Sequence, residues 1–443
     1  MSAKRSVALA GLLSALATAA PAQEPPAPET VRLSLGEAVA KAKEWSARLA
    51  QLRSLETAAA EGLRAARAGR RPLLDLSASY SRNANVPELI LEFPGQPPRT
   101  LFPNIPGNYR TRAALTLPVW TGGRVEGAIE AAGLAREAAS RDVDAGRADL
   151  VLETTAAYWG LVTARQAERV LREAVASYEG HFRDSRNRLD SGLAARDEVL
   201  AVQVEKDRAE LTRLRAFNAA EIASADLTRL TGVPLGARIE AVDPLAGGEP
   251  GQEAPEALAT AALAGRPEVA ALRSRIASLE SSARVAQAAT RPQLGLTAAY
   301  DFARPNTRIL PLADEWKGTW SLGVGLSLSL DGGRTTAAVA QVRAQAEAVR
   351  YQLQEVERGV RLEVTSRLLD LKAAREALGV ADRNLEAATE NLRVSQDRFT
   401  EGVIPSSERL DAETNLLRAG LDRTEAAAQW RLALARLDRA VGR

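Results

Sequence analysis

The sequence predicts a mixed α and β membrane protein. Long coiled-coil helices run into a few strands that cannot close a sheet alone. Three observations predict this. A short alternating apolar run meets a glycine pair twice, once in Leu115-Thr116-Leu117-Pro118-Val119-Trp120-Thr121-Gly122-Gly123-Arg124 and again in Leu326-Ser327-Leu328-Ser329-Leu330-Asp331-Gly332-Gly333-Arg334. Alternation of period two reads as a half-buried strand, and the glycines supply the positive φ of a sharp strand-to-helix turn. The segments 124–189 and 334–399 contain no proline. At 1.5 Å per residue each reads as one helix of roughly 100 Å, a length typical of coiled coils. Aromatic residues make up only 4% of a chain that is 46% hydrophobic, much of it alanine. That composition suits helices that approach closely better than a large globular core.

Charge and leader narrow the class. Lys+Arg 58 against Asp+Glu 56 leaves a net charge of +2 over 443 residues, which is no footprint for nucleic acid. With Cys 0 there is no disulfide and no thiolate chemistry. Lys4 and Arg5 precede an apolar stretch over 7–20, and Ala20-Pro21-Ala22 has the small-x-small form of a cleavage site. Residues 1–22 are therefore expected to be a secretory signal peptide, cut after Ala22. The apolar stretch is short of the ~18 residues of a membrane anchor. No later segment is apolar for long enough to span as a helix, so any span is expected to be made of strands.

The mature chain reads as a tandem duplication. In the first repeat, 23–233, a Pro/Glu-rich lead-in over 23–32 is expected to be disordered. A helix over 35–70 carries a stripe of Ala38, Leu49, Leu52, Leu55 and Leu63 and ends at Pro72. Strands over 72–82 and 110–120 flank an exposed Pro/Asn/Gly-rich loop over 86–108. Helices follow over 124–189 and 195–230, the second closed by Gly232 and Pro234. A Pro/Gly-rich linker covers 234–256. The second repeat, 257–443, has a helix to 290, strands over 292–302 and 320–330, and helices over 334–399 and 406–441. Arg188, Gly192, Glu198 and Leu200 return as Arg398, Gly402, Glu408 and Leu410, each 210 residues later. Each unit is thus helix, strand, loop, strand, long helix, tight turn, helix.

The strands carry the functional argument. Trp320, Leu322, Val324, Leu326, Leu328 and Leu330 alternate with Ser321, Gly323, Gly325, Ser327 and Ser329, giving one apolar and one small polar face. Their length of about ten residues suits a tilted membrane strand. Four strands cannot close a barrel, for which about eight is the smallest filled case, and lipid does not tolerate open edges. Copies of the chain must then share one barrel. Three would give twelve strands, and two or four remain open on this argument. Enzymatic chemistry is not expected. The single histidine, His181, lies in a charged stretch and reads as solvated, and no metal-ligand cluster, phosphate loop or nucleophile motif is present. No cofactor is expected.

The duplicated unit, the Gly-Gly-Arg junctions and the turns Gly192-Leu193-Ala194-Ala195-Arg196-Asp197-Glu198-Val199-Leu200 and Gly402-Val403-Ile404-Pro405-Ser406-Ser407-Glu408-Arg409-Leu410-Asp411 together resemble the TolC family of outer-membrane efflux proteins. The resemblance covers essentially the whole mature chain. It implies a homotrimer with a twelve-stranded barrel in the cell outer membrane and a long periplasmic α-barrel. Such a trimer is the exit duct of a tripartite efflux or type I secretion system, with a periplasmic membrane-fusion (adaptor) protein and an inner-membrane transporter as partners. The resemblance places the adaptor contacts on the tips Gly192, Leu193, Ala194, Gly402, Val403 and Ile404. It places a pore constriction on Glu408 and Asp411, with Glu198 as first-repeat counterpart, and the barrel-to-helix turns on Gly122, Gly123, Gly332 and Gly333. Glu408 and Asp411 are three apart and share a helix face. An equal reading is that acids in a first helical turn complement the macrodipole, with Ser406 or Ser407 as N-cap. Ile404, Pro405 and Phe399 depart from the family's commoner residues, which puts a polar lock at this tip in question. The competing reading is a periplasmic coiled-coil scaffold without a pore, which would leave the amphipathic strands idle. The transported substrate is not legible.

Overall fold

The computed structural model describes residues 30–234, 236–245 and 254–443. The expected signal peptide and residues 246–253 of the linker lie outside the described residues. In chain order the elements are β1 (Thr30–Leu33), α1 (Leu35–Trp45), α2 (Ala47–Ala68), β2 (Leu73–Arg82), β3 (Leu89–Leu91), β4 (Arg99–Phe102), β5 (Gly107–Trp120), α3 (Arg124–Asp190) and α4 (Arg196–Thr231). Then come β6 (Arg238–Ala241), α5 (Pro255–Gly265), α6 (Pro267–Gln287), β7 (Gln293–Arg304), β8 (Lys317–Ser327), α7 (Arg334–Thr400) and α8 (Ser406–Val441). No described helix is long and apolar enough to cross a membrane.

Two helices are interrupted where the sequence predicts one. Ser46 separates α1 from α2: its N–H donates to Ala42 O while its hydroxyl accepts from the Leu49 N–H, so one residue closes one helix and opens the next. Arg266 separates α5 from α6 because Pro267, at the first position of α6, holds the residue before it in an extended conformation.

The long helices α3 and α7 are the backbone of the molecule. α2 and α4 both pack on α3, and α6 and α8 both pack on α7, while α3 also meets α6 and α8. The result is an arc four helices wide at every height. It runs α2, α3, α6, α7 near the sheet and α4, α3, α8, α7 near the opposite end.

Period seven explains the α7–α8 seam. Val364, Leu371, Leu378, Leu385, Leu392 and Phe399 recur every seven residues on α7, alongside Val360, Ala374, Ala381 and Ala388. On α8, Ala412, Ala419, Ala426, Ala433 and Ala440 are again seven apart, and Ala433 packs with Leu371 and Ala374 while Ala440 packs with Val360 and Val364. A strict heptad keeps one seam turned toward the neighbouring helix, and alanine lets the backbones close in.

The main sheet is antiparallel in the order β2-β5-β7-β8. Its register builds two contrasting faces. Leu76, Ala113, Tyr300 and Trp320 stand side by side across it, as do Leu74, Leu115, Ala298 and Leu322. The next row on the other face is Ser77, Arg112, Asp301 and Thr319, with Arg110 and Arg112 both within 4 Å of Asp301. Trp320, Leu322, Val324 and Leu326 are all exposed on the apolar face. Both outer strands, β2 and β8, are unpaired on one side. β8 ends at Ser327, so Leu328 and Leu330 continue the alternation as an exposed extension rather than as strand. The loop expected over 86–108 contains the short β3–β4 hairpin.

The glycine pairs make the junctions. Gly122 and Gly123 have φ of 63° and 92°, and Gly332 and Gly333 have φ of 61° and 102°. Each junction is capped by the residue before its glycines. Thr121 Oγ1 accepts the Val125 N–H at 3.2 Å, and Asp331 Oδ2 accepts the Thr335 N–H at 2.8 Å. Asp331 also takes the Thr335 hydroxyl and the Gly333 N–H. These bonds, the Thr335 hydroxyl foremost, hold its carboxyl below the usual carboxylate range.

A second sheet adds a short strand at the end of the expected lead-in, whose residues 23–29 lie outside the described residues, and another within the expected linker. β1 and β6 pair in parallel, Thr30 with Arg238 through Leu33 with Ala241. They cover Tyr158, Trp159 and Leu161 of α3 and Leu227 of α4, the largest buried cluster near the middle of the helices. Tyr158 donates to Asp243 Oδ2 at 2.7 Å, the same oxygen that accepts the Leu35 N–H and so caps α1. Burial pushes the Tyr158 phenol up to about 12.

The junctions differ in a testable way. A Cβ on Gly122 would lie 2.6 Å from Arg291 Cβ, whereas one on Gly332 would meet nothing within 4 Å. Gly122→Val and Gly332→Val should both cost roughly 1–2 kcal/mol for forcing a branched residue to positive φ. Only Gly122→Val adds a collision, so its thermal midpoint, followed by helical circular dichroism, should fall further. Equal midpoints would show that Arg291 moves aside freely. A second prediction concerns acid. A carboxyl with a lowered folded pKa contributes stability that is complete above its unfolded value and lost as pH falls through the folded one. Thr121 does not titrate, so acid should lower the amide protection factors around 331–337, corrected for intrinsic exchange, and leave those of 121–127 unchanged. Asp331→Asn should abolish the difference between neutral and acid pH.

Candidate functional site

The end remote from the sheet holds two tips of the same construction. At the first, Gly192 has φ of 73°, and the Leu193 N–H reaches back to Arg188 O at 2.8 Å. At the second, Gly402 has φ of 75°, and the Val403 N–H reaches Arg398 O at 2.9 Å. Both are glycine-closed helix ends that satisfy late carbonyls. Their exposure differs. Leu193 and Val403 are 78% and 61% exposed, while Ile404 is only 6% exposed. Ala194 is half-buried.

The acidic residues beyond the tips lie as follows. Glu408 and Asp411 are exposed on one side of α8, and neither has an ion pair or hydrogen bond through its side chain among the described residues. Glu198 is half-buried in the first turn of α4. Neither helix has a side-chain N-cap: the capping positions are Ala195 and Pro405. Ser406 is the first helical residue of α8, not its cap, and its hydroxyl is engaged elsewhere. The acids of both first turns face helix N-termini, where negative charge is favoured.

What engages Ser406 is the main departure from the sequence reading. His181 is fully buried rather than solvated. Its Nε2 lies 2.9 Å from Ser406 Oγ and its Nδ1 lies 2.9 Å from Glu413 Oε2. Glu413 Oε1 accepts from Ser177 Oγ at 3.1 Å and from Arg409 Nε at 3.3 Å. Arg409 Nη1 extends to Asp184 at 3.1 Å. Tyr178 and Thr414 share a hydrogen bond at 3.1 Å, and burial pushes the Tyr178 phenol up. Phe399, in the last turn of α7, is packed between the guanidinium of Arg188 at 4.3 Å and that of Arg409 at 5.2 Å. Arg188 also donates to Phe399 O at 3.1 Å. Phe399 and Ser406 bracket the second tip, so α3 holds that tip from both sides. The sequence signal for this was periodicity: Ala174, His181 and Arg188 are seven apart on α3, as are Leu171, Tyr178 and Ser185, so His181 lies on a seam.

Ser406, His181 and Glu413 lie in the order nucleophile, base and orienting acid. Burial argues against that chemistry. Ser406 and His181 are 3% and 0% exposed. The adjacent groove of about 580 Å³ is lined by Ser177, Tyr178 and Glu413 but not by Ser406 or His181. The arrangement satisfies polar groups between helices. Among the described residues no group of three His, Cys, Asp or Glu side chains could hold a metal.

A sheet with one apolar face, continued by paired long helices that turn back at glycine tips, is the fold of an outer-membrane channel protomer. The outer membrane protein VceC of Vibrio cholerae superposes with a TM-score of 0.76 at 18% identity, over 92% of this chain and 96% of that one. The CmeC outer membrane channel of Campylobacter jejuni superposes with a TM-score of 0.75 at 18% identity, over 92% and 85%. The outer membrane efflux protein BepC of Brucella suis biovar 1 (strain 1330) is 27% identical over 240 residues, 53% of this chain. That match spans only half of BepC's own length. Residues 38–233 and 258–443 match the outer membrane efflux protein family, and the chain belongs to that family. Its place is the outer membrane, with the helices in the periplasm.

The buried cluster yields a prediction. Glu413→Ala leaves Arg409 and His181 facing each other in a dry seam, and should destabilise the fold by about 3–5 kcal/mol. A lower urea midpoint would register it. Asp422→Ala, on an exposed part of α8, should stay within about 0.5 kcal/mol of the parent. A fluorophosphonate that labels Ser406 in the folded protein would contradict the structural role.

Proposed function

We propose that the chain is the exit duct of a tripartite efflux or type I secretion system, a passive conduit for what an inner-membrane pump delivers. The observation that carries this reading is that sheet and helical arc both end in unpartnered edges on matching sides. β2, α2 and α4 form one flank of the protomer, and β8 and α7 form the other. Leu200, Val204, Leu211 and Ile222 are exposed on α4, and Leu362, Leu369 and Val380 on α7. A flank of one kind meeting a flank of the other is a head-to-tail contact, which makes a ring when the rotation between copies closes. The resemblance to TolC-type ducts supports three copies, hence twelve strands around one barrel and a helical cylinder below it. The apolar sheet face then meets lipid, and the face bearing Arg110, Arg112 and Asp301 lines the lumen.

In this ring the four junction glycines mark the change from barrel to cylinder. The tips at Gly192, Leu193 and Ala194 and at Gly402 and Val403 are the contact for a periplasmic adaptor. Ile404 serves there by packing beneath the tip. Glu408 and Asp411, exposed and free of partners on one side of α8, with Glu198 of the first unit, form an acidic constriction that favours cations. Drug, metal-ion and protein cargo are all compatible with such a duct. A periplasmic scaffold is the alternative, and it gives no role to the two-faced sheet.

The detergent-extracted protein should insert into planar bilayers as discrete conducting units. Glu408→Gln with Asp411→Asn should raise conductance and weaken block by divalent cations. A mature protein that is soluble without detergent and never conducts would sink the duct. Conductance and block unchanged in the double variant would remove the constriction alone.

A further inference from the structure

The duplication allows each seam to be compared with its counterpart. Within one chain, α3 packs against α8 near the tips. Moving every residue by the 210-residue repeat turns this seam into α7 against α4, which in the proposed ring is the seam between copies. The polar cluster does not survive the move. His181 becomes Asn391, Glu413 becomes Gln203, Arg409 becomes Val199, Ser406 becomes Arg196 and Phe399 becomes Leu189. Gly420, where an added Cβ would touch Val170 at 3.0 Å, becomes Glu210, so the close approach of α8 to α3 is lost as well.

We infer that the His181–Glu413–Arg409–Ser406 cluster clamps the two hairpins of one chain into a single rigid unit at the tips, leaving relative motion to the seams between copies. This rests on the ring reading for the identity of the second seam, but not for the clamp itself. Sliding α8 along α3 by one turn, about 5.4 Å, would part Arg409 from Asp184 and Glu413 from His181 and Ser177, leaving His181 buried without a partner. At the counterpart seam the groups are two amides, a valine and the exposed Arg196. Asn391 and Gln203 are exposed in the single chain, and amides can exchange partners or water at little cost. The second tip is therefore held by α3 before and after its turn, whereas of these groups only the arginine returns toward the first tip, as Arg398.

Amide exchange of the assembled protein, read by mass spectrometry, tests this. Segments 177–188 and 406–413 should exchange more slowly than their repeat counterparts 387–398 and 196–203. Placing the first unit's own side chains in the clamp, His181→Asn with Glu413→Gln, should speed exchange at 403–413 on the order of tenfold or more. Exchange at 192–203 should not change. Equal protection of the paired segments in the parent protein would overturn the inference, and so would a variant with unaltered exchange. If the variant does not assemble, the parent comparison still decides. Chemical cross-linking of the parent reports the ring separately: loss of intermolecular products removes the assignment of the second seam, whereas the exchange rates judge the clamp.

Discussion

A strand edge cannot be left bare in lipid, because each unpaired backbone group there lacks any solvent to satisfy it. β2 and β8 are such edges, and the rest of the molecule is arranged around them. The four strands sit on two hairpins whose helical ends carry α3 and α7 away in the same direction. The same two flanks that expose backbone in the sheet expose leucine, isoleucine and valine in the helices. In the proposed ring such a chain is one sector, and its stability belongs to the assembly as much as to the protomer.

The parts legible in the sequence were those with a local code. Glycine pairs at positive φ, alternation in the strands and long proline-free segments each depend on neighbouring residues only. Elements that depend on distant partners were not legible. β1 and β6 are four residues each and pair across two hundred residues, so neither run has enough length to announce a strand. Ser46 breaks a helix with a residue that many helix interiors tolerate. His181 misled because charge in the surrounding sequence was read as solvation, when the seven-residue spacing of Ala174, His181 and Arg188 places it on a buried seam. Glu408 and Asp411 were legible as a shared face, and the structure leaves that face free of partners. Ser406 looked like a cap and is instead a hydrogen-bond partner of a helix from the other repeat.

The polar cluster sets how α8 sits against α3. Apolar burial is non-directional and does not by itself choose one register between two helices. Glu413 meets His181 and Ser177 of α3 in only one. A buried polar group that fixes register is the best-attested use of such a costly feature. The cluster also falls at the end of the seam, where an error in register would displace the tips most.

The pairing of Thr30–Leu33 with Arg238–Ala241 has a consequence for chain connectivity. It brings the start of the first unit to the place where that unit ends. The first unit is thereby a closed circuit, with its hydrogen-bonded ends resting on Tyr158 near the middle of the helices. The second unit begins at Pro255 with α5, which packs on α7 and α8. The described contacts of the two units lie on either side of the segment that joins them. The gene could be divided there, or the order of its halves exchanged, and the same contacts would remain to be made.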